Sequence, residues 1–290
     1  MMWADLCDRK QRLIAWGALF FAIFLMAACA SSTPPKPLNA ALNSAQTLER
    51  RAAQAYAQGD LPSAGAAYAS AALVYESLAL AQPLARARLN QARVLAEDLQ
   101  TLRAVQLVDA VLAQPNLSML GAETLAVAFG RAAALQLSLG EFTKAQSFWQ
   151  SALAACVGTC SAQQALLVLR ARLDLALGNA AAAVQSSSAA LSSGALAAGG
   201  QSAGNPEQAN ALRVRAQAYA ALGQHADSLL DANAALAIDQ QAGAANKVAL
   251  DLDLISSAHL ALGDSAQAQR YTQLAQSARA ALLALQNGAP

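Results

Sequence analysis

Five glycines divide this sequence at a nearly constant interval. Gly59, Gly140, Gly178, Gly223 and Gly263 each follow one helix-favouring run and precede another, and leucine stands before four of them, at Leu139, Leu177, Leu222 and Leu262. With Leu99 taken as a glycine-less member, successive anchors lie 40, 41, 38, 45 and 40 residues apart. Self-similarity of this period marks a solenoid, in which one supersecondary unit stacks on the next. Small residues recur at fixed distances from every anchor. Seven before it come Ala52, Ala92, Ala133, Ala171, Ala216 and Ser256; five after it, Ala64, Ala104, Ala145, Ala183, Ser228 and Ala268; twelve after it, Ala71, Val111, Ala152, Ala190, Ala235 and Ala275. Antiparallel helices approach to about 8 Å only where the facing side chains are small, so these positions mark helix crossings. Bulk sits eleven residues before the anchor, as Leu48, Phe129, Leu167, Leu212 and Leu252, with Arg88 breaking the row.

Composition agrees with a helical repeat. Alanine supplies 78 of 290 residues and aromatics only 5%. Strands favour β-branched and aromatic side chains, whereas alanine has the lowest helix cost, so the class is all-α. The anchors predict helix pairs over 45–58 with 61–80, 84–99 with 102–114, 120–139 with 142–156, 162–177 with 180–192, 206–222 with 225–238, and 244–262 with 265–286. Pro62, Pro83, Pro115 and Pro206 fall at or near these starts, where a missing N–H costs nothing. The widest interval contains Ser192 to Gln208, rich in Gly and Ser, and is expected to be a flexible loop. Charge is sparse at 13% and balanced, 19 basic against 18 acidic, which leaves no broad cationic field for nucleic acid.

The fifth unit carries Ala216, Tyr219, Leu222-Gly223, Ala235-Leu236 and Ile238-Asp239. The first adds Gly59-Asp60, Ala64, Tyr68 and Ala71, and the third Gly140, Phe142, Ala145, Trp149 and Ala152. In these positions the chain resembles tetratricopeptide-repeat proteins over residues 45–286. Its units run to about 40 residues instead of 34, and the early Trp of the motif is missing. The resemblance implies a right-handed α-solenoid of about six helical hairpins, with the first helix of each lining a concave face that binds a partner. Carrying over the family's contact positions gives Arg86, Arg93, Arg172, Asn210, Arg213 and Gln217 as groove candidates, with Gln46, Glu49 and Asp253 beside them. An arginine fork binds a carboxylate through paired hydrogen bonds, so such a groove suits an acidic peptide or a C-terminus. The competing reading gives such arginines to neighbouring helices, as in Arg170 with Asp174, or Arg215 with Asp231 or Asp227.

The N-terminus carries Arg9, Lys10 and Arg12 and then sixteen uncharged residues from Leu13 to Ala28. A spanning helix needs about 20 apolar residues, so this run reads as an export signal. It ends in Met26-Ala27-Ala28-Cys29, which resembles a bacterial lipobox. That resemblance implies cleavage of a signal peptide at 1–28 and acylation of Cys29, followed by a tether over 29–44. Ala30 in place of Asp implies the outer membrane, with the folded part facing the periplasm. The uncharged stretches Ala145–Leu169 and Leu175–Pro206 are broken by Gln, Ser and Gly and are expected to be buried soluble helices and their loops.

Cys156 and Cys160 flank Val-Gly-Thr between two predicted helices, and outside the cytoplasm they are expected to form a disulfide. His225 and His259 stand apart from any motif and are expected to be structural. No phosphate loop, nucleophile elbow or separate module with paired carboxylates is present. The expectation is therefore no catalytic residue, no cofactor and no metal. The expected function is that of an adaptor binding a protein or peptide in an envelope assembly, such as a pilus, secretion, outer-membrane biogenesis or polysaccharide-export machine. The alternative is an accessory or regulator of a peptidoglycan-acting enzyme.

Overall fold

The structure, a computed structural model, describes residues 40–158, 160–197 and 205–286. The signal peptide, Cys29 and the first part of the tether lie outside the described residues. Within them are twelve α-helices in six antiparallel pairs: α1 (Ala40–Ala57) with α2 (Leu61–Ser77), α3 (Ala81–Glu97) with α4 (Thr101–Leu112), α5 (Ala122–Ser138) with α6 (Phe142–Ala155), α7 (Gln163–Ala176) with α8 (Ala180–Ala197), α9 (Pro206–Ala221) with α10 (His225–Gln241), and α11 (Ala245–Ala261) with α12 (Ser265–Gln286). A short 3₁₀ turn, Leu117–Leu120, joins the second pair to the third. No strand occurs among the described residues.

The first helix of every pair ends in the same way. The residue at the anchor takes a left-handed φ, and the amide after it reaches back five residues to a carbonyl of the helix. These bonds run from Asp60 to Ala55, Gln100 to Leu95, Glu141 to Gln136, Asn179 to Asp174, Gln224 to Tyr219 and Asp264 to His259, all at 2.8–2.9 Å. Leu99 therefore occupies the glycine position of its unit, at φ +59°. Its side chain is 90% exposed and makes no packing contribution that would offset the strain. The left-handed region costs an L-residue about 1–2 kcal/mol, part of which glycine returns through its freer unfolded chain. Leu99→Gly is expected to stabilise the protein by about 1 kcal/mol, measured as a higher denaturant midpoint at unchanged slope.

The alanine rows lie where the helices cross. Ala52, Ala92, Ala133, Ala171 and Ala216 have no accessible surface, nor do Ala64, Ala104 and Ala183, and all six residues of the row from Ala71 to Ala275 are equally closed. Ser256, the one hydroxyl in the first row, donates to the carbonyl of Ala268 across the crossing at 2.8 Å. Successive first helices also touch one another, α3 with α5, α5 with α7, α7 with α9 and α9 with α11, while contacts between second helices are at most marginal. A stack that is tight on one side and splayed on the other is curved. The first helices form its inner wall.

Two boundaries differ from the sequence reading by five residues, and the rest by three at most. α1 starts at Ala40, five residues early, and α8 continues to Ala197 through Ser192, Ser193 and Gly194. One interior glycine costs a helix only about 1 kcal/mol, which the alanines around it tolerate. No helix among the described residues is long and apolar enough to cross a membrane.

Candidate functional site

The inner wall does not treat the predicted groove residues alike. Arg213, on α9, is buried and held by its own hairpin partner α10 and by the next hairpin's α11. Its Nε donates to Asp251 Oδ1 at 2.7 Å, Nη2 donates to Asp239, and Nη1 donates to Asn210 Oδ1 at 2.9 Å. Asn210 is occupied as well, accepting from Lys247 Nζ at 3.2 Å and donating to Glu207 at 3.2 Å. Both leave the groove set and join the scaffold. Carry-over by position could not see this, because Asp239 and Asp251 belong to α10 and α11.

The pairs offered as the competing reading also form, one within α7 and one between α9 and α10. Arg170 meets Asp174 at 2.8 Å, and Arg215 meets Asp231 through Nε at 2.6 Å and Nη2 at 2.9 Å. Arg86 and Gln217 are exposed on α3 and α9. Cys156 and Cys160 are joined by a disulfide, with Cα atoms 5.3 Å apart, in the loop from α6 to α7. His259 stacks on Tyr271 with ring centroids 5.4 Å apart, a packing contact within the last hairpin.

A third arginine that the positional rule missed lies within charge range of Arg93, and it shares two acidic neighbours with Arg172. Arg131, on α5, lies close enough to Arg93, Tyr56, Glu97 and Glu207 to feel their charges, and Arg172 feels Glu97 and Glu207. Desolvation by surrounding protein, followed by repulsion from Arg93, pulls Arg131 down to about 10. Desolvation lowers Arg172 too, against the pull of Glu97 and Glu207. Arg172 nonetheless keeps exposed surface. Both hold for a side chain in a concave space, open to water at its tip and walled by protein around it.

The guanidinium of Arg93 lies over the Tyr56 ring, 4.2 Å from its centroid. Burial raises the Tyr56 phenol far above its ordinary range, so it stays protonated and donates to Glu97 Oε1 at 2.5 Å. The carboxylates are engaged elsewhere, Glu97 with Tyr56 and Asn246, Glu207 with Asn210. Nε of Arg93 and Nε of Arg131, by contrast, are both shut off from water with no hydrogen-bond partner among the described residues. A buried donor left unmade costs about 1–3 kcal/mol, more when charged. One sequence signal could have found Arg131. It is the lone basic residue in a 17-residue helix that is otherwise almost wholly apolar or small.

No protein-family model matches the sequence, and no curated protein matches it closely enough to count as a relative. Among solved structures the chain is similar to BtubC (BKLC) from P. vanneervenii, with 17% identity and a TM-score of 0.55 over 84% of this chain and 92% of that one. It is also similar to the Rap protein complexed with Competence and Sporulation Factor, with 14% identity and a TM-score of 0.60 over 83% of this chain and 65% of that one. A putative kinesin light chain with TPR-like repeats from Podosopora anserina aligns at 17% identity and a TM-score of 0.47 over 69% of this chain and 96% of that one. The fold is that of a tetratricopeptide-like helical-repeat solenoid.

Proposed function

We propose that this chain is an exported adaptor, anchored by acyl groups on Cys29 to the periplasmic face of the outer membrane, that captures an acidic peptide segment of another envelope protein. The unmet Nε donors of Arg93 and Arg131 carry the binding half of this reading. Arg131 and Arg172 both feel Glu97 and Glu207, two carboxylates that are already bonded elsewhere. A ligand bearing carboxylates supplies what the arginines lack. The curved inner wall supports the same reading, since a solenoid presents an extended concave surface. The lipobox resemblance supports the anchor, because two or more acyl chains hold a protein stably to a bilayer.

One set of variants tests both halves. Arg131→Glu with Arg172→Glu is expected to weaken capture of a fluorescein-labelled hexaglutamate peptide by well over tenfold, since each charge-assisted bond contributes about 1.5–3 kcal/mol. Circular dichroism should show the helix content unchanged. Equal affinity in wild type and variant removes the groove reading. Cys29→Ser should move the protein from the membrane to the soluble fraction, and continued membrane association removes the anchor.

A further inference from the structure

The repeat supplies its own control. Gly140, Gly178, Gly223 and Gly263 are exposed, and a Cβ built on any of them meets nothing within 4 Å. Gly59 has the same turn geometry, with φ +80°, yet it is buried. A Cβ there would lie 2.8 Å from Cδ1 of Leu282 and 3.7 Å from the backbone nitrogen of Asn246. What covers the first hairpin's turn is the last hairpin, since Leu282 lies on α12 and Asn246 in the first turn of α11.

A second contact joins the same parts. Glu97, the last residue of α3, accepts from Tyr56 of α1 and, through Oε2, from Asn246 Nδ2 at 3.0 Å across a separation of 149 residues. α11 begins at Ala245, and Ala244 before it offers no side-chain cap, so its partially positive N-terminus meets a carboxylate brought from the second hairpin. The first, second and last hairpins thus meet at one seam, and Tyr56 and Glu97 belong both to it and to the arginine-lined space.

We infer that this seam is a latch that closes the solenoid into a ring around Arg93, Arg131 and Arg172, so that an acidic segment within a folded partner reaches them only when the latch opens. A solenoid with separated ends admits a loop from the side. A closed ring admits a free chain end along its axis and excludes a loop. Among the described residues the seam contains a bridging carboxylate that is itself exposed and a leucine on a glycine, whereas the hairpin interfaces are rows of closed alanines. The gating rests on the peptide-capture reading; the ring does not.

The full chain, with its four cysteines changed to serine, provides the background for the test. Glu97→Cys with Asn246→Cys is expected to form an intramolecular bridge through a short bis-maleimide linker that contains a reducible disulfide, read as loss of two free thiols in a monomer. Failure to form it overturns the ring. Two probes then examine the gate, a free hexaglutamate peptide and a small folded carrier displaying hexaglutamate in a surface loop. Stapling is expected to slow association of the loop probe at least tenfold while sparing the free peptide, with recovery on reduction. Equal loop-probe rates in stapled and reduced forms overturn the gate. If neither probe binds the reduced protein although the staple forms, the peptide-capture reading and the gate fall and the ring stands. Independently, Leu282→Asp should enlarge the radius of gyration in X-ray scattering at unchanged helicity, and an unchanged radius with that variant counts against the latch.

Discussion

Arg213→Ala is expected to destabilise the protein by about 3–5 kcal/mol, the cost of removing one partner from a buried ion pair. Among the described residues Arg213 is the only cation bonded directly to Asp239 and Asp251, whose side chains have no accessible surface. Without it two carboxylates remain inside with like charge between them. Lysine should not rescue the site well. The fork serves Asn210, Asp239 and Asp251 at once, and a single ammonium cannot cover three directions. The cluster also sets a pH dependence. Burial raises Asp251 from 3.8 to about 6, against the pull of Arg213, with Asp239 adding to the rise. The folded state therefore binds a proton there that the unfolded state has already released. This contribution is present at acid pH and is lost as pH climbs from about 4 through about 6. Asp251→Asn should flatten the stability profile across that window, and an unaltered slope in urea titrations at pH 4, 5, 6 and 7 would speak against Asp251 as its source.

The parts of the architecture that were readable in the sequence are those set by local rules. A left-handed stop after each first helix and a small residue at each crossing both repeat with the unit, so even Leu99 could be placed by its distance from neighbouring glycines. The parts that were not readable depend on partners far along the chain. Arg213 held a groove position in the repeat, but Asp239 of its own hairpin and Asp251 of the following one claimed it. Arg131 fell between the positions the family uses, and only the curvature of the inner wall brings it beside Arg93. Gln58 stands before Gly59 where Leu139 stands before Gly140, but neither neighbour foretells that Gly59 is buried. Its burial follows from the accumulated rotation of six hairpins, which no single unit encodes.

Alanine supplies so much of this chain that its presence at the crossings needs a test apart from composition, and α2 contains one. Ala64 has no accessible surface and packs with Ala52, Tyr68 and Val94, whereas Ala66, two residues on, is exposed. Leucine has better packing surface and nearly the same helix propensity as alanine, so Ala66→Leu should fall within about 0.5 kcal/mol of wild type. Ala64→Leu should cost about 3 kcal/mol, at the upper end of the penalty for overpacking. The site lies where α1, α2 and α3 converge, and close-packed interiors transmit strain because they compress poorly. Equal melting curves for the two variants would show that these alanines follow composition and do not define the crossings. The displacement should also travel. Forcing α1 from α2 moves Tyr56 and Gly59, which border the crossing and form one side of the seam. Ala64→Leu should therefore lower the yield of the Glu97→Cys, Asn246→Cys staple under conditions where the chain is still folded, because the spacing set by a methyl group at one crossing decides whether the last hairpin reaches the first.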